Sequence, residues 1–361
     1  MTHDRTPLED LLIRRIHAGG AIALSDYMAD CLLHPDHGYY TQSQPFGAGG
    51  DFTTAPEISQ MFGELLGLWL AQAWLDQGSP AAFTLAETGP GRGTLMADVL
   101  RATARVPGFH QAAEIVLIEA SPRLRAVQRQ ALAPFAVRWI EQVDQLPEAP
   151  LFLLANEFVD ALPVRQFTRT DDAWAETMVT LSDEGALALA LAQPAPLAAL
   201  AHRLHDTRPG DIVEIRPAAQ PVVQTIAARI AVHGGAALLV DYGRWRSMGD
   251  TVQALRAHAH VDILSTPGLA DLTAHVDFEP LARAAVAAGA RPWGPVEQGA
   301  LLNALGIEAR ATRLAANLQG EALERHLSAW QRLTHPDQMG SLFKALAILP
   351  RSAPQPAGFA P

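Results

Sequence analysis

The chain has 361 residues, 49% of them hydrophobic, and a formal charge of −11. That is enough apolar material for one large domain with insertions or for two domains, and 27 Lys+Arg against 38 Asp+Glu, with no basic run, argues against a nucleic-acid partner. Cys31 is the single cysteine, which excludes an intramolecular disulfide and a cysteine-based zinc site and fits a reducing compartment. Residues 1–15 place acids ahead of a short apolar run, unlike a signal or transit peptide, so a cytoplasmic location is expected. Apolar stretches reach only about ten residues, too short to span a bilayer. Along residues 8–33 apolar positions recur at three and four, which predicts helix. His34-Pro35 breaks it, and Gly38 to Asp51 reads as loop. Thr54-Ala55-Pro56-Glu57 has the form of a capping box. The helix it would open, Ile58 to Asp76, is apolar on nearly all sides and should be buried.

The next segment carries the strongest signal. Phe83 to Ala86 is an apolar run ending in Glu87; glycines then stand at Gly89, Gly91 and Gly93, and a helix-like segment runs from Thr94 to Ala104. Strand, glycine turn and helix in that order let a ligand approach bare backbone at the carboxyl edge of a parallel sheet. A dinucleotide pattern needs Gly or Ala three positions after its second glycine, and Thr94 or Met96 stands there instead. No G-K-[ST] follows, so a P-loop is excluded as well. What remains, E-x-G-x-G-x-G, is the form used by S-adenosyl-L-methionine-dependent methyltransferases. Strand two, Ile115 to Ile118, ends at Glu119, 26 residues after Gly93. An acid at this place suits the two ribose hydroxyls of a nucleoside. Cofactor contacts are therefore expected at Glu87, Gly89, Pro90, Gly91, Arg92, Gly93, Glu119 and Ala120. Ser121-Pro122 reads as a helix start.

Strand three is read at Val137 to Ile140 and strand four at Leu151 to Ala155, ending in Asn156-Glu157. Residues 164–192 break the βα alternation with three short β-like runs, a meander inserted on the core. Helical segments follow at 195–206 and 218–233, and strand five at Ala237 to Val240, ending in Asp241-Tyr242-Gly243. Residues 244–273 read as irregular, 278–288 as helix, and Phe343 to Leu349 as a last apolar run. The Pro/Ala-rich tail 350–361 reads as disordered. The expected fold class is α/β, a Rossmann-like methyltransferase sheet. It would carry a helical N-terminal cap over 1–57, a core over 58–349 and insertions at about 164–210 and 244–273.

In an open parallel sheet ligands sit beyond the carboxyl ends of the strands. Methyl transfer is an in-line displacement, so the protein mainly aligns the acceptor and holds its charge. For an arginine acceptor the natural tool is a carboxylate, which grips a guanidinium bidentately. Glu157 is the first choice for that grip, with Asn156 orienting it; Asn156 also suits a side-chain-to-backbone turn contact. Asp160 serves equally as a turn cap before Leu162-Pro163. Glu57 has a structural explanation as the capping-box acid, whereas Asp51, in Gly49-Gly50-Asp51-Phe52, does not. His275 and Asp277 would share one face of an extended segment as an orienting pair, although Asp277 suits a helix start too. His258, His260 and Asp262 are metal-ligand types without a further cluster, and no metal is expected. A serine-hydrolase elbow is absent from the sequence.

The chain resembles the MidA-type family of S-adenosyl-L-methionine-dependent methyltransferases. The resemblance is carried by His37-Gly38-Tyr39-Tyr40, by Gly50-Asp51-Phe52-Thr53-Thr54-Ala55-Pro56-Glu57-Ile58-Ser59-Gln60 with Phe62-Gly63-Glu64, and by Glu87 to Met96. It continues through Asn156-Glu157-Phe158-Val159-Asp160-Ala161-Leu162-Pro163, Asp271 to Phe278, and Met339-Gly340-Ser341-Leu342-Phe343-Lys344. Thr88 stands where relatives tend to carry an apolar residue, and Val159 where an aromatic is common. The resemblance implies a class I fold with a helical cap and cofactor contacts at Gly89, Gly91, Gly93 and Glu119. From eukaryotic relatives it implies arginine dimethylation of a respiratory complex I subunit during assembly. The expected partner is thus a protein substrate, with the oligomeric state left open. Two alternatives stand beside it: a cofactor-binding assembly chaperone that transfers nothing, and a small-molecule methyltransferase with a closed apolar acceptor pocket.

Overall fold

The computed structural model describes residues 5–42 and 53–359. The chain divides into two compact units: Thr53–Val159, Gln220–Trp245 and Phe278–Pro361 form the larger, and Met1–Phe52, Asp160–Ala219 and Arg246–Asp277 the smaller. The N-terminal segment and both predicted insertions thus gather into one unit, although they are far apart in sequence.

The larger unit is built on a sheet. Its strands are β1 (Phe83–Thr88), β2 (Ala113–Ile118), β3 (Val137–Ile140), β4 (Leu151–Asn156), β5 (Gly235–Arg244), β6 (Arg291–Glu297) and β7 (Phe343–Leu349). They lie in the order β3-β2-β1-β4-β5-β7-β6. β3, β2, β1, β4 and β5 are parallel neighbours, while β7 runs antiparallel to both β5 and β6. β1, β4 and most of β2 are continuously buried, as strands covered on both faces must be. Alternate residues, Phe83 and Leu85, Ile115 and Leu117, Phe152 and Leu154, Leu238 and Val240, feed one core. The strand order reverses between β1 and β4, which makes the carboxyl ends of those strands the place for a ligand.

Into that core packs helix α1 (Gln60–Asp76), against α2 (Thr94–Thr103), the helix that follows the glycine turn. Two glycines permit the approach: a Cβ at Gly63 would stand 2.6 Å from Asp98 Cβ, and one at Gly67 2.8 Å from Val99 Cα. Glu64 lies between them in sequence and is buried; its carboxylate takes Arg310 in a bidentate grip (2.6 and 2.9 Å) and also accepts from Arg101. α1 is exposed along one strip, with Leu68 and Leu75 about half accessible, so it is not covered all round.

The smaller unit holds two helices, Pro7–Gly19 and Leu24–Leu33, beside the meander Arg165–Arg169, Trp174–Leu181 and Leu187–Leu191. Ile22–Ala23 joins Trp174–Leu181, and Ile212–Ile215 joins Arg165–Arg169, both antiparallel. Leu8, Leu12, Ile16, Tyr27, Met28, Val164, Val179 and Leu272 form its core.

The structure corrects several readings. The single helix over 8–33 is two, because Gly20, at φ 84°, ends the first and a strand intervenes. The helix from Ile58 is broken at Ser59, which is extended and caps α1 by accepting from the Met61 N–H at 3.2 Å. The capping box is not formed: Thr54 makes no side-chain cap, and Glu57 accepts instead from the Thr94 hydroxyl at 2.5 Å. Part of 195–206 is a 3-10 turn, Ala198–Arg203, and the stretch read as irregular contains the hairpin Gln253–Arg256 and Ala259–Val261. Ala257 and His258 are its two turn residues, both with positive φ. The tail is packed through residue 359: Phe359 is buried against Trp69, whose indole N–H donates to the Ala357 carbonyl at 3.0 Å. No helix among the described residues is long and apolar enough to cross a membrane.

Candidate functional site

β1 delivers Glu87 and Thr88 to the switch point, and the chain then turns through Gly89, Gly91 and Gly93, with φ of 60°, 52° and 83°. L-residues pay to enter this region, so glycine is the favoured residue at each of the three positions. The turn is pinned on both sides. The Gly89 N–H donates to the Ile118 carbonyl of β2 (3.0 Å), and the Gly93 N–H donates to the Pro90 carbonyl (2.7 Å) before α2 begins. A Cβ at Gly89 would press on the Phe158 ring at 3.0 Å.

Glu87 is buried, and its Oε2 has no hydrogen-bond partner. Burial pushes its carboxyl up to about 8; the Met96 N–H opposes this and the nearby Glu119 charge adds to it. Glu119, at the end of β2, is also buried and held above the usual carboxylate range by burial, against the pull of its hydrogen bonds. Its Oε1 accepts from the Ser121 N–H (2.7 Å) and its Oε2 from Gln128 Nε2 (3.0 Å), and Arg125 Nε donates to its carbonyl (2.8 Å). Ser121 caps the helix α3 (Pro122–Ala131), as the sequence predicts.

These features fit S-adenosyl-L-methionine. An orphaned carboxylate oxygen beside a glycine turn suits a ligand bearing an ammonium group. The Glu119 carboxylate accepts from the Ser121 N–H, Gln128 Nε2 and the Ala120 N–H and keeps an acceptor position for a ribose hydroxyl. Pro90, Gly91 and Gly93 line the turn; Arg92 and Ala120 are exposed beside it.

At the end of β4, Asn156 is buried and its Oδ1 has no hydrogen-bond partner, while its Nδ2 donates to Glu157 Oε1 at 3.1 Å. Glu157 takes the left-handed conformation, φ 48°, a costly one for a residue with a side chain. The same Oε1 accepts from the Ala55 N–H at 3.0 Å. The carboxylate therefore binds the main chain of the Thr54–Glu57 segment, which the sequence did not foretell. Strand five runs on past the expected end at Val240 to Arg244, so Asp241 lies within β5, where its side chain accepts from the Val159 and Tyr242 N–H groups (2.9 and 3.0 Å).

The larger unit thus brings Glu87, the glycine turn, Glu119, Ala120, Asn156 and Glu157 to neighbouring strand ends. Asp160 and His275 belong to the smaller unit. There the Asp160 side chain accepts from the Ala161 N–H (2.9 Å), and its carbonyl accepts from the Ala274 N–H. His275 donates its N–H to Thr251 Oγ1 (2.9 Å) and its carbonyl accepts from Arg216. Asp277 lies 3.7 Å from the buried Arg203. Asp51 falls outside the described residues. Among those residues no three His, Cys, Asp or Glu side chains are grouped to hold a metal.

Sequence reasoning missed Gln128 and the contact of Glu57 with Thr94. The first had a signal: Leu124 and Gln128 on α3 and Leu132 just after it follow a four-residue spacing and are all buried, and a polar residue in such a stripe needs partners.

Comparison with known proteins agrees with the geometry. Residues 65–296 match the family described as "Putative S-adenosyl-L-methionine-dependent methyltransferase". The protein arginine methyltransferase NDUFAF7, mitochondrial, of Xenopus tropicalis is 36% identical over 96% of this chain and 88% of its own length. The Homo sapiens protein of the same name is 36% identical over 96% and 84%. A crystal structure from Burkholderia thailandensis with S-adenosyl-homocysteine bound superposes with a TM-score of 0.82 at 34% identity, covering 97% of this chain and 93% of that one. Strand order, glycine turn and near full-length similarity lead to one conclusion: the chain belongs to this S-adenosyl-L-methionine-dependent methyltransferase family, together with the NDUFAF7 proteins.

Proposed function

We propose that this methyltransferase modifies arginine in a protein, and that its target is a subunit of respiratory complex I met during assembly. The reading is carried by the near full-length similarity to proteins named protein arginine methyltransferase. The strand ends supply chemistry consistent with it. S-adenosyl-L-methionine, when bound, supplies an electrophilic methyl group on a sulfonium sulfur. In this reading the turn Gly89–Gly93 and Glu87 hold the amino-acid end of the cofactor, and Glu119 with Ala120 its nucleoside.

A guanidinium presents planar N–H donors, and the acceptors for them are Asn156 Oδ1 and the Glu157 carboxylate. Methylation of a guanidinium nitrogen displaces one proton, and Glu157 receives it.

The test uses methyl-labelled S-adenosyl-L-methionine, the purified full chain and isolated complex I or its assembly intermediates, followed by acid hydrolysis and amino-acid chromatography. Label in methylated arginine of one complex I subunit is the expected result. Label confined to small molecules, or to another amino acid, would overturn the substrate class. Cofactor binding without any transfer would favour the chaperone alternative.

A further inference from the structure

We propose that Gln128 is a positioning residue that locks the two halves of the cofactor site into one geometry. It acts through Glu119, and the inference rests on the reading that Glu119 holds the ribose hydroxyls.

Gln128 is completely buried in the middle of α3 and uses both ends of its amide. Nε2 donates to the Gly91 carbonyl at 2.8 Å and to Glu119 Oε2 at 3.0 Å, while Oε1 accepts from the Trp139 indole at 2.8 Å. One side chain therefore ties the turn after β1, the acid after β2 and the neighbouring β3. Its stem also lies against the turn: a Cβ at Gly93 would meet Gln128 Cγ at 3.5 Å and Cα at 3.6 Å.

The orientation of the amide follows from chemistry. An indole nitrogen is only a donor, so the end facing Trp139 is the oxygen, and the amino end must face the carbonyl and the carboxylate. The three partners thereby select glutamine over glutamate, which would set a second carboxylate against Glu119 and the Gly91 carbonyl. Trp139 is itself held, with the Arg129 guanidinium 5.0 Å from the centre of its ring.

The consequence falls on Glu119. The Ser121 N–H fixes one carboxylate oxygen and Gln128 fixes the other, so the plane of the carboxylate is set before any ligand arrives. A site already in its bound geometry loses less freedom on binding. The same amide holds the Gly91 carbonyl, so the turn and the acid keep a constant spacing.

The experiment compares the affinity for S-adenosyl-homocysteine, and for its analogue lacking both ribose hydroxyls, across the wild type, Gln128→Met, Trp139→Phe and Glu119→Gln. Gln128→Met keeps the length of the side chain and removes the amide. It is expected to weaken S-adenosyl-homocysteine by about tenfold to a hundredfold, the range for a hydrogen bond to a charged group. It should weaken the dihydroxyl-free analogue much less. Trp139→Phe keeps an aromatic ring, removes only the N–H that orients the amide, and should show a smaller loss with the same preference for the intact ribose. Should Gln128→Met fail to fold, Trp139→Phe decides the matter. Equal losses for both ligands, or no loss in either variant, would overturn the positioning role. If Glu119→Gln binds both ligands as the wild type does, it is the ribose reading of Glu119 that falls.

Discussion

Glu87 shows how a single residue reports on the site. Its carboxyl is raised from 4.5 to about 8, first by burial and then by the charge of Glu119, with the Met96 N–H opposing. Between those values the folded chain keeps a proton that the unfolded chain has released. The unfolded state therefore binds fewer protons, and stability falls as pH rises. The contribution of this group is complete below about 4.5 and lost above about 8. Glu87→Gln should flatten the decline in the urea midpoint between about pH 5 and pH 8, read by circular dichroism without ligand. A midpoint with the slope of the wild type would show that Glu87 is ionised in the folded protein. The residue scale is also where the sequence misled. Glu57 had the spacing of a capping-box acid, but spacing along one helix cannot reveal a hydroxyl 37 residues later, and Thr94 takes its carboxylate. Glu157 stands at a strand end as the sequence indicates, yet its bond to the Ala55 N–H depends on the start of a short helix brought back by the fold.

At the scale of elements the legible parts were those with strong periodicity or strong punctuation. β3 was read with its observed bounds, and β1, β2 and β4 to within a residue or two, because a buried parallel strand is an unbroken β-branched or leucine-rich run. The glycine turn is legible because three glycines at alternate positions after an apolar run mark a backbone turn that side chains disfavour. Helix boundaries were less so: Ser59 interrupts a continuous apolar pattern through its own backbone conformation, which no periodicity records. The close packing of α1 on α2 was equally hidden. It rests on Gly63 and Gly67, and it sets the helix that opens directly from the turn. Gly67→Ala pushes a methyl group to within 2.8 Å of Val99 Cα, and backbone must move to admit it. The expected cost is about 1–3 kcal/mol in chemical denaturation. A loss below about 0.5 kcal/mol, the level of an inert surface change, would show that the helices are not in close contact there.

On the scale of the whole molecule, the sequence predicts a core with insertions, while the N-terminal segment and both insertions fall in one compact unit. Assembling them needs pairings such as Ile22 with Val179, far apart in sequence and unmarked by any motif. The larger unit is more legible, since βα alternation predicts parallel strands, whereas the strand order and the reversal between β1 and β4 are properties of the fold. Everything proposed for the acceptor presupposes that the turn at Gly89–Gly93 receives the cofactor. Equilibrium dialysis with labelled S-adenosyl-L-methionine tests that most directly, comparing the wild type with Gly91→Val, in which a β-branched residue is forced into φ near 52°. The account predicts one cofactor bound per wild-type chain and none to a variant that keeps the wild-type circular dichroism. Stoichiometric binding by that variant, or none by the wild type, would contradict it.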